Sequence, residues 1–248
     1  MVWSCFGARR RETLEWFKTT AAVTVLIGAL GGPASAADDR AACNNLSYKP
    51  LEFTVPACTR LIEQADLEPA ELRLALRRRA DAYHFASTVL PEVEQGRRTR
   101  LLEQALADVT RAMTLDAGEY ARPDPPIVLG LPEIARGQLL SELGRYEAAV
   151  DAYTVALERV WEAGPSARLG RALALAELGR YQGAIDDMTE LVRLFPNQTR
   201  WVFLRGEINE EAGHTAAAVE DYERVLSLDP DHVGAQRALK RLVGVGRY

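Results

Sequence analysis

The residues able to do chemistry are few and scattered. His84, His214 and His232 lie far apart, and none has a cysteine or a second histidine at a metal-ligand spacing. Asp186-Asp187 and Glu210-Glu211 are adjacent pairs, and neighbours on a helix point to different faces, so neither pair makes a two-carboxylate acid–base site. No glycine-rich phosphate loop, serine nucleophile elbow or HExxH sequence is present. No catalytic residue, cofactor or metal is therefore assigned, and the expected activity is binding rather than catalysis. Two kinds of side chain remain to be explained. Cys5, Cys43 and Cys58 are the cysteines. Arg79, Arg136, Arg171 and Arg205 recur in register with Asp108, Asp151, Asp187 and Asp221. A bare arginine row would hold an anion. Pairing each arginine with the aspartate on the following helix is the expected use, because half-buried charge is normally paired.

The elements that would position these residues are set by a repeated phrase. Leu143-Gly144-Arg145-Tyr146-Glu147-Ala148-Ala149 returns as Leu178-Gly179-Arg180-Tyr181-Gln182-Gly183-Ala184, and more loosely as Ala212-Gly213-His214-Thr215-Ala216-Ala217-Ala218. The glycines are 35 and 34 residues apart, and Tyr153, Met188 and Tyr222 keep the same spacing. An arginine followed by a small residue lies eight residues before each glycine. Pro196 and Pro230 close two of the units. A period near 34 predicts stacked helical pairs. The glycines suit the left-handed backbone that ends a helix, and the prolines stop the second helix.

This pattern resembles the tetratricopeptide repeat over residues 130–164, 165–198 and 199–232. The first unit departs from it, with Trp161 at the closing proline position and Pro132 in the first helical turn. The resemblance implies an all-α solenoid of helical hairpins, wound as a right-handed superhelix, that binds a protein or peptide on its concave face. Residues 233–248 read as a capping helix and tail, the polar end that a solenoid needs.

Ahead of the regular repeats, residues 56–118 read as degenerate repeat-like helices. A helix begins near Pro56, a second runs from Leu72 to Phe85, and an insert over Ser87–Arg98 precedes the next. Residues 119–129 hold Pro123, Pro125 and Pro126 and read as a semi-rigid connection. Residues 37–55 show no sustained period and are expected to form an irregular arm. Cys58-Thr59-Arg60-Leu61-Ile62-Glu63 followed by Arg79-Ala80-Asp81-Ala82-Tyr83 is also similar to exported repeat proteins of Gram-negative bacteria.

Residues 1–36 have the layout of a cleavable signal peptide. Arg9, Arg10, Arg11 and Lys18 precede an apolar stretch from Thr19 to Leu30, a Gly-Gly-Pro break and Ala34-Ser35-Ala36. Cleavage near Ala36/Ala37 and a periplasmic or secreted location are expected, with no stable membrane insertion afterwards; an uncleaved anchor is the alternative. Export would leave Cys43 and Cys58 as a disulfide, whereas retention in the cytosol would leave two free, buried thiols. A formal charge of −5, with positive charge carried almost wholly by arginine, excludes a basic nucleic-acid-binding surface.

The concave face of such a stack comes from the first helix of each unit. Repeat counting places Ile134, Gln138, Ser141 and Glu142 there, then Leu169, Leu173, Ala176 and Glu177, then Phe203, Glu207, Glu210 and Glu211. Family members that clamp a terminal carboxylate use lysine and asparagine at matching positions, and here those are replaced by apolar and acidic residues. The expected partner surface is Ile134, Gln138, Glu142, Leu169, Leu173, Glu177, Phe203, Glu207 and Glu211, an apolar strip with an acidic border that favours a basic partner. A structural subunit of a cell-envelope assembly is the competing reading.

Overall fold

The computed structural model describes residues 35–45, 49–64, 66–115, 132–159 and 164–244. Nearly all of the expected leader, the proline-rich connection and Trp161 lie outside the described residues. Among the described residues there are eleven α-helices. They are α1 (Ala36–Asn44), α2 (Thr54–Ile62), α3 (Pro69–Thr88), α4 (Gln95–Thr114), α5 (Pro132–Glu142), α6 (Tyr146–Arg159), α7 (Gly164–Glu177), α8 (Tyr181–Leu194), α9 (Thr199–Glu211), α10 (Thr215–Leu228) and α11 (Val233–Val243). Each helix packs on the next in the chain, and the first helices of neighbouring pairs also meet, α1 on α3 and α5 on α7. The result is an all-α solenoid of helical hairpins.

The local chemistry of the turns explains the period. Gly144, Gly179 and Gly213 have φ of 72°, 70° and 78°. That left-handed step lets the next N–H return to the helix, from Arg145 to the Leu140 carbonyl, Arg180 to Leu175 and His214 to Asn209, each at 2.8 Å. α8 and α10 stop two residues before Pro196 and Pro230, as the restricted backbone ahead of proline requires. α11 buries Ala235, Ala238 and Leu239 against Val202 and Tyr222 and leaves its basic residues outside, closing the stack.

The arginines brace the stack. Arg171 forks onto Asp187 with two bonds of 2.7 Å and donates a third, at 3.2 Å, to Thr154 of the preceding unit. Arg205 does the same with Asp221 and Thr189, and Arg79 with Asp108 and Thr59. One guanidinium thus ties a hairpin together and links it to its predecessor. Because Thr59 on α2 fills the same place as Thr154 and Thr189, α1 and α2 are a further degenerate unit. A lighter brace lies at the turns, where Arg145 bonds Glu103 and Arg180 bonds Glu147.

Three expectations are corrected. Residues 37–55 are not an irregular arm: Ala36–Asn44 is helical. Ser35 caps it, accepting from the Asp38 N–H at 3.2 Å while Asp38 accepts from the Ser35 N–H at 3.0 Å. The helix escapes a search for apolar period because its buried positions include Asp39, which Arg60 grips with bonds of 2.5 to 3.1 Å. The insert over Ser87–Arg98 is mostly helix too. α3 and α4 each run 20 residues, and only a short turn with one 3-10 step, Glu92–Glu94, separates them. Finally, Arg136 and Asp151 do not pair. Arg171 and Arg205 each reach an aspartate sixteen residues on. Sixteen residues beyond Arg136 stands Ala152, and Asp151 is one position round the helix, on the exposed side.

The Sγ atoms of Cys43 and Cys58 lie 2.08 Å apart, with the Cα atoms at 4.8 Å, so that the end of α1 faces the middle of α2. Both are buried beside Ala57, Leu61 and Ala75, so they sit where the first hairpin meets α3.

Candidate partner-binding groove

An open groove of about 310 Å³ runs between α5, α6 and α7. Its floor is made by Tyr153, Leu173 and Ala174, and its polar edges by Gln138, Glu142 and Glu177. The backbone is close here for a packing reason. The Tyr153 ring is wedged between Gly137 and Gly170, so near that a Cβ on either would come within 2.6 and 2.3 Å of it. The two first helices can therefore approach only through glycine, and the ring becomes both core and groove floor.

The structure brings Gln138, Glu142, Leu173 and Glu177 together around this groove. Leu173 is the apolar residue it presents most openly, at 43% exposure. Other expected contact residues are corrected. Ile134 is only 7% exposed and belongs to the core formed with Leu139 and Ala149. Leu169 is half-buried against the α7–α8 core. Phe203 packs on Tyr222, with ring centroids 5.5 Å apart, and on His232 at 4.7 Å, so it seats the capping helix. In each case the side chain packs into a core instead of opening onto the groove. Tyr146 and Tyr153 line the groove and were not expected there. Tyr153 repeats with Met188 and Tyr222 at the unit spacing, which marks it as core in sequence and hides its second role.

The acidic residues divide into two kinds. Glu142 is engaged: His84 Nε2 lies 2.6 Å and Arg98 Nη2 3.6 Å from its carboxylate. Burial alone would raise its pKa, but these two partners outweigh burial and hold it below the ordinary carboxylate value. Glu210 is also engaged, by Arg241 at 2.7 Å and the Tyr222 hydroxyl at 2.9 Å. Glu177, Glu207 and Glu211 have no ion-pair partner among the described residues. Partial desolvation, then the charges of Glu211 and Glu210, push the Glu207 pKa up. A raised folded-state value means that ionised Glu207 opposes folding, an effect relieved as pH falls. Glu207→Gln should therefore stabilise the chain slightly at pH 7, by no more than about 0.5 kcal/mol at this exposed site. The gain should vanish below the ordinary carboxylate range, as paired melting curves at the two pH values would show.

Among the described residues, no group of three or more His, Cys, Asp or Glu is placed to hold a metal, and no helix is long and apolar enough to cross a membrane.

A stack of helical pairs, each braced to the last and lined by an open groove, defines the class of helical-repeat proteins. Family models for the tetratricopeptide repeat match residues 134–199 and 202–232. These residues are therefore tetratricopeptide repeats. Solved structures agree on the fold. YrrB, described as a tetratricopeptide repeat protein with an unusual peptide-binding site, superposes with a TM-score of 0.62 at 16% identity, over 84% of this chain and 93% of its own. A MamA fragment from Desulfovibrio magneticus RS-1 gives 0.57 at 15% identity, over 80% of this chain and 99% of its own. The second such domain of human RPAP3, solved with an HSP70 peptide, gives 0.41 at 27% identity, over 45% of this chain and 92% of its own. No curated protein sequence matches the chain.

Proposed function

We propose that the chain is an exported adaptor that binds a basic protein or peptide segment along its concave face, without catalysis. The observation that carries this reading is the groove itself: an apolar floor with Leu173 open to solvent, and beside it Glu177, which has no ion-pair partner among the described residues. Apolar contact would supply most of the affinity, while the acidic edge would select a basic partner and speed its encounter. The double variant Glu177→Lys with Glu211→Lys should weaken capture of the basic partner and flatten its salt dependence. Helicity and melting temperature should hardly change, because both positions are exposed. Undiminished capture at low salt by the folded double variant would remove the acidic edge from the recognition surface.

The export part of the proposal rests on the leader-like layout of residues 1–36. Cleavage after Ala36 removes Ser35 and its cap, and Asp38 and Asp39 then stand beside the new α-amino group in the first turn of α1. In an oxidising compartment the facing cysteines would be joined. The isolated mature protein should begin at Ala37 and take up no alkylating groups until reduced. Reduction should cost about 3 kcal/mol on the loop-entropy account of a cross-link this short. Intact mass with and without reductant reads both, and a mature species that retains Cys5 or alkylates without reduction contradicts the proposal.

A further inference from the structure

The first helices carry a row of equivalent positions, six residues past the repeated arginine of each unit. Glu142, Glu177 and Glu211 stand six past Arg136, Arg171 and Arg205, and Phe85 stands six past Arg79. The row therefore begins with an aromatic residue, 40% exposed, and continues with three glutamates. At its aromatic end the α3–α4 hairpin is longer than the others. α3 continues nine residues past Arg79, against six from Arg171 to the end of α7, and α4 starts thirteen residues before Asp108, against six from the start of α8 to Asp187. At 1.5 Å per residue the tip stands about 5 to 10 Å beyond the neighbouring turns. The tip carries Val89 and Val93, the latter 92% exposed.

This tip is joined to the groove, since His84 and Arg98 both contact Glu142, which lines it. Around the tip, Arg97 is matched by Glu94 at 3.1 Å, and Glu92 is exposed. Arg98 is 40% exposed in its side chain and meets a glutamate already bonded to His84; Arg100 is exposed beside it. At the other end Arg241 is spent on Glu210, and Glu207 and Glu211 have no ion-pair partner among the described residues. The face thus passes from apolar and charge-balanced at α3–α4, where Arg98 stays partly open to solvent, through Leu173 in the middle, to anionic at α7–α9.

We propose that this polarity fixes the direction of the bound peptide, with its basic residues against Glu177, Glu207 and Glu211 and an apolar segment ending in an acidic residue against Phe85 and Arg98. The proposal rests on the reading of the concave face as a peptide groove. Its physical basis is that the reversed ligand would carry its acidic residue into the anionic end and its basic residues away from it.

The test is selection of short random linear peptides on the full chain, followed by synthesis of an enriched peptide and of the same peptide with its halves exchanged. The expected outcome is that enriched peptides hold basic residues in one half and apolar or acidic residues in the other, always in the same order. The exchanged peptide should bind about tenfold more weakly, a difference of about 1.4 kcal/mol. Arg98→Glu should erase the acidic preference and keep the basic one. Enriched peptides with no order of charge, or an exchanged peptide that binds equally well, overturn the direction while leaving peptide binding intact. If no peptide is enriched, the groove is not a peptide site, and both readings fall.

Discussion

Gly170→Ala should be among the most damaging single substitutions in the stack. A Cβ at this position would come within 2.3 Å of Tyr153 Cζ and 2.5 Å of Cε1. The ring cannot move away, because Gly137 closes its other side, where a Cβ would lie 2.6 Å from Cε1. Overpacking of a locked ring costs about 3 kcal/mol. For a chain of this size that corresponds to a fall in melting temperature of roughly 6 to 12 °C. The double variant Gly170→Ala with Tyr153→Leu should recover part of the loss, since the smaller side chain vacates the space the new methyl needs. Thermal melts of the three proteins check this. Strict additivity would show that the glycine matters for some reason other than the ring.

Arg171→Ala should cost nearly as much, by a different mechanism. Asp187 is 4% exposed in its side chain and depends on Arg171 for two short bonds, while Arg168 reaches it only at 3.5 Å. Removing the guanidinium leaves a buried carboxylate with one long contact, and breaking a buried pair from one side costs about 3 kcal/mol. Replacing both partners, as in Arg171→Leu with Asp187→Leu, should be milder than the single change. Two comparisons make the prediction sharp. Arg136 stands at the equivalent place but has Ala152 where the aspartate would be, so Arg136→Ala should cost under about 1 kcal/mol. Arg180 and Glu147 form an exposed pair, and Arg180→Ala should cost about 0.5 kcal/mol or less. Denaturant melts of the set should order them this way, and equal losses at Arg171 and Arg136 would refute the bracing role.

Much of the fold was legible because it is periodic. A left-handed glycine, a small residue under an aromatic ring and a stopping proline each answer a local demand, and the demand returns every 34 or 35 residues. Where the demand was met by another group, the signal failed. α1 is held by a serine cap and a buried aspartate rather than by an apolar stripe, so its period is invisible. In sequence the α3–α4 tip has the look of an insert because Pro91 and Gly96 interrupt the pattern, yet proline sits at the cap of a 3-10 turn and glycine in the first turn of α4, where both are tolerated. The bracing pairs were right for Arg79, Arg171 and Arg205 and wrong for Arg136. A shift of one residue turns a side chain about 100° round a helix, and an aspartate merely near the correct offset does not reach.

The candidate site was legible in its middle and obscure at its ends. Leu173 and Glu177 lie where repeat counting puts them. Ile134 and Phe203 were misassigned because counting gives the face of a helix but not what covers it. Ile134 is covered by its own core, Phe203 by His232 and the capping helix. The engagement of Glu142 joins residues 58 apart in the chain, His84 and Glu142, and has no counterpart in the other units, so no repeat pattern announces it.

The central claim is that the concave groove is the partner surface. Photo-crosslinking in the native cell tests it most directly, with a photoreactive amino acid substituted for Leu173 in the groove or for Gln182 on the exposed side of α8. The account predicts a discrete adduct from the Leu173 position, absent from the Gln182 position and lost when Glu177→Lys and Glu211→Lys are added. Adducts of equal yield from both positions, or an adduct that survives the charge reversal, would contradict it.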